Sequence, residues 1–129
     1  MSKILLLIAM IWFHILDDFC LQSHTLCNLK QRRYWDENAP DPMYRYDYIV
    51  ALAAHAFSWT TMVFIPAIAY AYIYEIDFPT LGFCVAFFGN VLVHGMVDDE
   101  KANRHDFNLV VDQGIHLAQI VFTWVLVVT

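Results

Sequence analysis

Apolar residues fill four long segments of the chain, and polar residues collect in the stretches between them. The segments cover about residues 4–26, 48–74, 80–98 and 107–129. Each is long enough to cross roughly 30 Å of hydrocarbon as a helix, at about 1.5 Å of rise per residue. Helices are expected because lipid offers the backbone no hydrogen-bond partners. The pattern predicts an all-α fold, an integral membrane four-helix transmembrane bundle, as a single domain over residues 1–129.

Prolines and acidic residues mark the ends of these segments. Pro40 and Pro42 exclude helix from the longest loop, because proline lacks an N–H and restricts the residue before it. Asp47 and Asp106 are expected N-caps of the second and fourth helices. Pro66, inside the second segment, predicts a kink there.

Composition agrees with a membrane solvent. Hydrophobic residues make up 60% of the chain, mean hydropathy is +0.49, and charged residues make up 16%, against roughly 25% in soluble domains. Six of the seven Lys and Arg residues lie in loops 27–47 and 99–106. The positive-inside rule therefore places both loops in the cytoplasm and both termini outside, in a cell inner (plasma) membrane. On this interpretation Lys101 and Arg104 are topology signals.

Charge and cysteine content exclude other classes of protein. The net charge is −6 and there is no basic stripe, so a nucleic-acid partner is excluded. The three cysteines have no metal-ligand spacing and are interpreted as small apolar fillers.

Histidine and aspartate residues interrupt the apolar segments. Three His/Asp pairs are spaced four residues apart, which places each pair on one face of its helix. Because helix direction alternates, all of them are expected near the cytoplasmic side. The candidate metal ligands are His14, Asp18, His55, His94, Asp98, Asp112 and His116.

Several carboxylates inside one bundle need compensation. An ionised aspartate at the centre of a bilayer costs on the order of 2.5–3.5 kcal/mol, and the sequence places no Lys or Arg within the spans. A divalent transition metal, Zn, Mn or Fe, suits imidazole and carboxylate ligands, as one or two ions. A carboxylate left over among Asp18, Asp98 and Asp112 would act as the catalytic base. Asp17 lies about 60° from this face and is expected outside the ligand set. The alternative is that such pairs are hydrogen-bonded contacts that specify helix packing.

The motifs that contain these residues resemble those of a known family. His14-Ile-Leu-Asp-Asp18-Phe-Cys-Leu-Gln22 resembles the HxxxDFxLQ opening of small bacterial and phage polytopic membrane proteins of unknown function. His94 to Lys101 is similar to that family's HxxxDxxK segment, and Asp112 to His116 to its DQxxH segment. The family is similar in layout to membrane-bound metal-dependent hydrolases. The resemblance covers the whole chain and implies metal binding.

Four functions follow from these features. The first is a metal-dependent hydrolase acting on a lipid-linked or amphipathic ester or phosphoester near the cytoplasmic leaflet, with membrane lipid as a partner. The alternatives are an ion- or proton-conducting or transporter component that uses the same residues, bis-histidine haem ligation, and a non-enzymatic module, phage-encoded or bacterial, that modulates a host complex. A homo-oligomer or a membrane partner remains open.

Overall fold

The computed structural model describes residues 2–77 and 79–129, and within those ranges it is helical and contains no strand. Met1 and Phe78 lie outside the described residues. The helices in chain order are α1 (Lys3–Ile15), α2 (His24–Leu29), α3 (Arg32–Asn38), α4 (Asp47–Ile73), α5 (Thr80–Asp99) and α6 (Leu109–Val128). Two π-helical segments, Leu16–Leu21 and Glu100–Arg104, continue α1 and α5, and a 3-10 turn covers Pro42–Tyr44.

Four helical stretches in the described ranges are long and apolar enough to cross a membrane. They cover Lys3–Leu21, Pro42–Ile73, Thr80–Arg104 and Leu109–Val128, so the four predicted spans are all present as helices. Large apolar side chains on their outer faces are exposed, among them Ile8 and Leu92. A helix surface of this kind is suited to lipid.

The two termini lie together at one end of the bundle. The Trp124 indole N–H donates to the Lys3 carbonyl oxygen at 2.8 Å, and the Lys3 ammonium donates to the Val128 carbonyl oxygen at 2.8 Å. We call this the terminal end. The opposite end, which carries loops 22–46 and 100–108, is the loop end.

Several predicted boundaries were wrong. The first long helix ends at Leu21 and not at residue 26, since Ser23 accepts a hydrogen bond from the Leu26 N–H and starts α2. Asp47 is the first residue of α4 and not its cap. The cap of α6 is Asn108, whose side chain accepts from the Val111 N–H, and not Asp106.

The interior changes in character along the bundle. The terminal half is filled by apolar side chains that form one cluster, including Leu6, Met10, Val63 and Ile120. The loop half contains buried histidines and aspartates instead. Trp59 packs in the apolar cluster and also against the polar half. The fold therefore gives the polar residues one compartment, closed on the terminal side by a packed core.

Candidate metal centre

A widened helical turn places two adjacent aspartates in the bundle. The segment Leu16–Leu21 is π-helical, and the Gln22 N–H donates to the Asp17 carbonyl oxygen, five residues back, at 2.9 Å. In an α-helix the side chains of Asp17 and Asp18 would diverge by about 100°. In the π turn Asp17 is 2% exposed and accepts a hydrogen bond from the Ser58 hydroxyl at 2.8 Å, while Asp18 faces the cluster. Asp17 is therefore buried beside Asp18, and, as expected, it is outside the groups whose atoms are close enough to share an ion.

His55 on α4 connects the aspartates of two other elements. Its Nε2 lies 3.4 Å from Asp18 Oδ1 and 3.5 Å from Asp98 Oδ2. Its Nδ1 lies 3.5 Å from Asp17 Oδ2. His55 is 2% exposed, so the aspartates meet around an imidazole that water does not reach.

His94, Asp98 and His116 form a second group on α5 and α6. The Asp98 Oδ1 atom lies 3.8 Å from His94 Nε2 and 3.6 Å from His116 Nε2. The Asp112 Oδ1 atom lies 3.3 Å from His116 Nε2. Both histidines are fully buried, and their rings stack with centroids 4.1 Å apart.

Two sets of three residues in the described chain have ligand atoms close enough to share one ion. They are Asp18 with His55 and His94, and His94 with Asp98 and His116. All their ligand atoms lie within 4.8 Å of one another. Because His94 belongs to both sets, the positions overlap.

His14 is close to this cluster but is occupied by hydrogen bonds. The Trp59 indole N–H donates to His14 Nδ1 at 2.8 Å, and His14 Nε2 lies 3.0 Å from Gln113 Oε1. Indole can only donate and a carboxamide oxygen can only accept, so Nδ1 carries the lone pair and Nε2 the hydrogen. His14 thus has no free lone pair for a metal, and among the seven predicted ligands it is the one whose ring nitrogens both have partners.

The amide of Gln113 extends this contact to the aspartates. Its Nε2 donates to Asp18 Oδ2 and to Asp112 Oδ2, both at 3.1 Å. A line of hydrogen bonds therefore runs from Trp59 through His14 and Gln113 to two carboxylates. Such a line fixes which oxygen of each carboxylate remains available for another contact.

Lysines from the loop end neutralise two of the carboxylates. The Lys30 ammonium donates to Asp98 Oδ2 at 2.5 Å, and the Lys101 ammonium donates to Asp112 Oδ2 at 2.6 Å. Lys30 is 8% exposed. The expectation that no cation reaches the buried aspartates is wrong, because the loop after α2 and the π turn after α5 fold back over the bundle. Lys101 is thus a partner of the cluster as well as a charged loop residue.

An asparagine attaches the Lys30 segment to the bundle. Asn103 Nδ2 donates to the Lys30 carbonyl oxygen at 3.1 Å and to Asp99 Oδ1 at 2.7 Å. Its Oδ1 accepts from the Arg32 backbone N–H at 2.7 Å. The backbone from the Lys30 carbonyl to the Arg32 N–H is therefore held against the π turn, close to the Lys30 ammonium that contacts Asp98.

Sequence reasoning gave too small a role to several of these residues. Trp59 lies four residues after His55, in the middle of a span and away from the membrane interfaces, which is a signal that was available. Gln113 directly follows Asp112 and was not among the predicted site residues. Lys30 gave no signal, because its approach depends on how the loop folds.

Buried polar atoms without partners lie at the centre of the cluster. Among the described residues, His94 Nε2, His116 Nε2, Asp112 Oδ1 and Asp18 Oδ1 have no hydrogen-bond partner. Buried polar atoms are usually paired, since an unpaired one costs about 1–3 kcal/mol. The donor set, imidazole nitrogen with carboxylate oxygen, suits a divalent transition metal.

No protein family, curated protein or solved structure matches the chain.

Proposed function

We propose that this chain is an integral membrane protein that binds one divalent transition metal ion within its bundle and acts as a metal-dependent hydrolase on an amphipathic ester or phosphoester. The observation that carries the proposal is the set of unpaired nitrogen and oxygen atoms that face one another in the loop half. The four long apolar helices support the membrane location.

The separations between these atoms fit coordination better than hydrogen bonding. The imidazole nitrogens and carboxylate oxygens of the cluster lie 3.3 to 3.8 Å apart. Most hydrogen bonds between such atoms are roughly 2.7–3.2 Å long, and His94 Nε2, His116 Nε2, Asp18 Oδ1 and Asp112 Oδ1 have no hydrogen-bond partner. Two ligands of one tetrahedral ion, each bonded at about 2.0–2.1 Å, lie about 3.3 Å apart. The shortest separations in the cluster match that value, and the longer ones would have to shrink by a few tenths of an ångström around an ion.

The charges of the cluster favour a single ion. Four buried or nearly buried aspartates contribute −4, and Lys30 and Lys101 contribute +2, which leaves −2 with neutral histidines. One divalent ion neutralises this charge, whereas two would leave the compartment at +2. The overlap of the two ligand sets at His94 leads to the same number.

The position around His94, Asp98 and His116 fits the ion best. Two unpaired atoms belong to it, His94 Nε2 and His116 Nε2, and the unpaired Asp112 Oδ1 lies 3.3 Å from His116 Nε2 beside the set. His116 Nδ1 lies 3.4 Å from the Gln119 carboxamide oxygen, which only accepts. His116 therefore carries its hydrogen on Nδ1 and directs the Nε2 lone pair towards the carboxylates.

Asp18 and His55 are then left for proton transfer. A divalent ion in such a site supplies an activated water and polarises a carbonyl or phosphoryl oxygen. Asp18 Oδ1 has no hydrogen-bond partner, and His55 Nε2 is 3.4 Å away from it. This pair accepts the proton of the attacking water, and Gln113 holds the other oxygen of Asp18 in place.

Elemental analysis of detergent-purified protein tests the metal site. We expect about one equivalent of a transition metal in the wild type and its loss in His94→Ala, with the same helical circular dichroism. His24→Ala is the matched control, because His24 is exposed and outside the cluster. A wild type that stays metal-free after supplementation contradicts the proposal.

Hydrolysis is tested separately with an amphipathic phosphoester substrate. We expect turnover by the metal-loaded wild type in detergent micelles, none after chelation, and recovery when metal is returned. Asp18→Asn should retain the ion and lose turnover, since Asp18 lies outside the favoured ligand set. Turnover that persists in both Asp18→Asn and His94→Ala contradicts the hydrolase assignment.

Ion or proton conduction is a second candidate, favoured by a polar line towards the terminal end. The Gln119 amide donates to Asn90 Oδ1 at 3.3 Å, and the Asn90 amide donates to Thr123 at 3.0 Å. Thr123 lines a cavity of about 850 Å³ near the terminal end. Proton flux into liposomes that contain the purified protein, compared with Asn90→Leu, tests it. Equal flux in both and in empty liposomes excludes conduction.

A further inference from the structure

Two cavities meet on the α4–α5 side of the loop end, and they differ in character. One is polar, about 470 Å³, and is lined by Arg32, Arg104 and Asn103 among others. The other is an apolar groove of about 310 Å³ along α4 and α5, lined by residues such as Leu52 and Gly95. We call them the arginine cavity and the apolar groove.

The two cavities share part of their walls. Tyr48, near the start of α4, and Asp99, at the end of α5, line both of them. The groove lies between α4 and α5, which are apolar enough to cross a membrane. The arginine cavity lies at the loop end, where Arg32 and Arg33 of α3 line it. A molecule placed across Tyr48 and Asp99 would have one part at the level of lipid chains and the other at the level of headgroups.

Among the three arginines of the arginine cavity, Arg32 has the loosest ion pair. Three arginines and two aspartates line the cavity. Arg33 and Arg104 are each paired with a glutamate at 2.6 Å, but Arg32 Nε is 3.9 Å from Asp36, and both of those side chains are more than half exposed. A guanidinium in a loose, exposed ion pair is available to bind the oxygens of a phosphate.

The arginine cavity is also connected to the metal centre. Asn103 lines it and donates to the Lys30 carbonyl oxygen, while the Lys30 ammonium contacts Asp98, one of the candidate ligands. The groove is lined by Ala56 and Gly95, next to His55 and His94 in the chain. A headgroup in the cavity would thus lie against the segment that covers the cluster.

We propose that the apolar groove and the arginine cavity together bind one anionic lipid, with an acyl chain in the groove and the phosphate at Arg32. The lipid, or a phosphorylated amphiphile of the same shape, is the class of substrate that the metal centre would receive, and this last step rests on the proposed function. The occupant is a lipid and not a soluble phosphate, because the apolar groove continues from the polar cavity.

Calorimetric titration of the full chain in detergent tests the site. The probes are dioctanoyl phosphatidylglycerol, dioctanoyl phosphatidylcholine and glycerol phosphate, added to metal-supplemented and to chelator-treated protein. We expect phosphatidylglycerol, called the glycerol lipid below, to bind at least about tenfold more tightly than the other two probes. Phosphatidylcholine has no net charge, and glycerol phosphate has no acyl chains. Equal affinity for the two lipids, or for the glycerol lipid and glycerol phosphate, overturns the proposal.

Two pairs of variants locate the lipid. Arg32→Gln should weaken the glycerol lipid by roughly fivefold, the loss expected for one basic residue near an anionic lipid surface. Arg45→Gln makes the same charge change on the same loop outside the arginine cavity and should have no effect. If both weaken binding equally, the attraction is general and the assigned site is wrong. Arg32 is exposed, so its variant is expected to fold.

Gly95→Leu fills the groove and should reduce the affinity for the glycerol lipid to that for glycerol phosphate. A Cβ there would lie 3.6 Å from the Ala56 Cβ, an ordinary contact, so the backbone accepts it. Gly89→Leu is the control on the same helix, where a Cβ meets nothing within 4 Å. Equal affinity in the two leucine variants overturns the groove assignment. If the protein takes up no metal after supplementation but discriminates between the lipids, only the metal function is contradicted. If it takes up metal but does not discriminate between the lipids, only the lipid site is contradicted.

Discussion

Replacing Lys30 by methionine removes the cation from a buried ion pair and keeps an unbranched side chain that is only one heavy atom shorter. The Lys30 ammonium and Asp98 Oδ2 are 2.5 Å apart, and both side chains are less than 10% exposed. Removing one partner of a buried pair costs about 3–5 kcal/mol, because the other charge is left uncompensated. In the metal-free protein we therefore expect Lys30→Met to lower the free energy of unfolding by about that amount.

Metal should reverse about half of this loss. If Asp98 is a ligand, the bound ion compensates its charge, and the remaining cost is about that of one hydrogen bond to a charged group, 1.5–3 kcal/mol or less. The difference between wild type and variant should then shrink by about 2 kcal/mol, which by linkage makes the variant bind the ion roughly 30-fold more tightly. The removal of the Lys30 ammonium thus lowers the free energy of unfolding and raises the affinity for the metal.

Reversible unfolding in mixed detergent micelles measures both effects, with chelator and with saturating Zn²⁺ or Mn²⁺. Arg33→Met is the matched control, because its pair with Glu37 is exposed and no measurable change is expected. The same destabilisation with and without metal would refute the assignment of Asp98 as a ligand. No destabilisation in chelator would refute the Lys30–Asp98 pair itself.

Three further substitutions separate ligands from supporting residues. His14→Gln should keep the full metal content in elemental analysis, because both ring nitrogens already have partners; loss of metal would make His14 a ligand. Gln119→Leu should weaken metal binding about 10- to 100-fold in a competitive chelator titration, whereas Gln119→Glu keeps an acceptor for His116 Nδ1 and should lose less. Trp59→Phe should lower the free energy of unfolding by about 1–3 kcal/mol, since His14 Nδ1 loses its donor, with unchanged metal content; a larger loss of metal than of stability would contradict this.

The helical architecture was predictable because it follows from the length and position of the apolar stretches in the sequence. Four apolar stretches of sufficient length predict four helices, and the structure contains all four. The ends were less predictable: Ser23 and Asn108 compete with nearby polar residues as caps, and the neighbouring backbone decides between them. Pro66 lies inside α4, which continues through it as one helix of 27 residues, so the kink there stays a prediction.

The residues that make up the centre were predictable, but the hydrogen bonds and ion pairs between them were not. Spacing of four residues placed the histidines and aspartates of α5 and α6 on inward faces, and they are buried there. The π turn that also turns Asp17 inward depends on a backbone hydrogen bond between residues five apart, which leaves no pattern of apolar positions. Lys30 reaches Asp98 across 68 positions of sequence, and no local rule predicts a contact of that range.

The two lysines explain how the bundle tolerates its aspartates. In Asp98 and Asp112 one oxygen accepts from a lysine while the other faces His116. Each carboxylate therefore directs one oxygen at a fixed cation and the other oxygen at the centre. Without the two lysines the compartment would carry a net charge of −4, which one divalent ion could not neutralise. With both lysines the net charge is −2, which one divalent ion neutralises. The loop end thus sets the charge of the centre, and because Asn103 fixes Lys30 beside the arginine cavity, a ligand in that cavity would act directly on the segment that sets it.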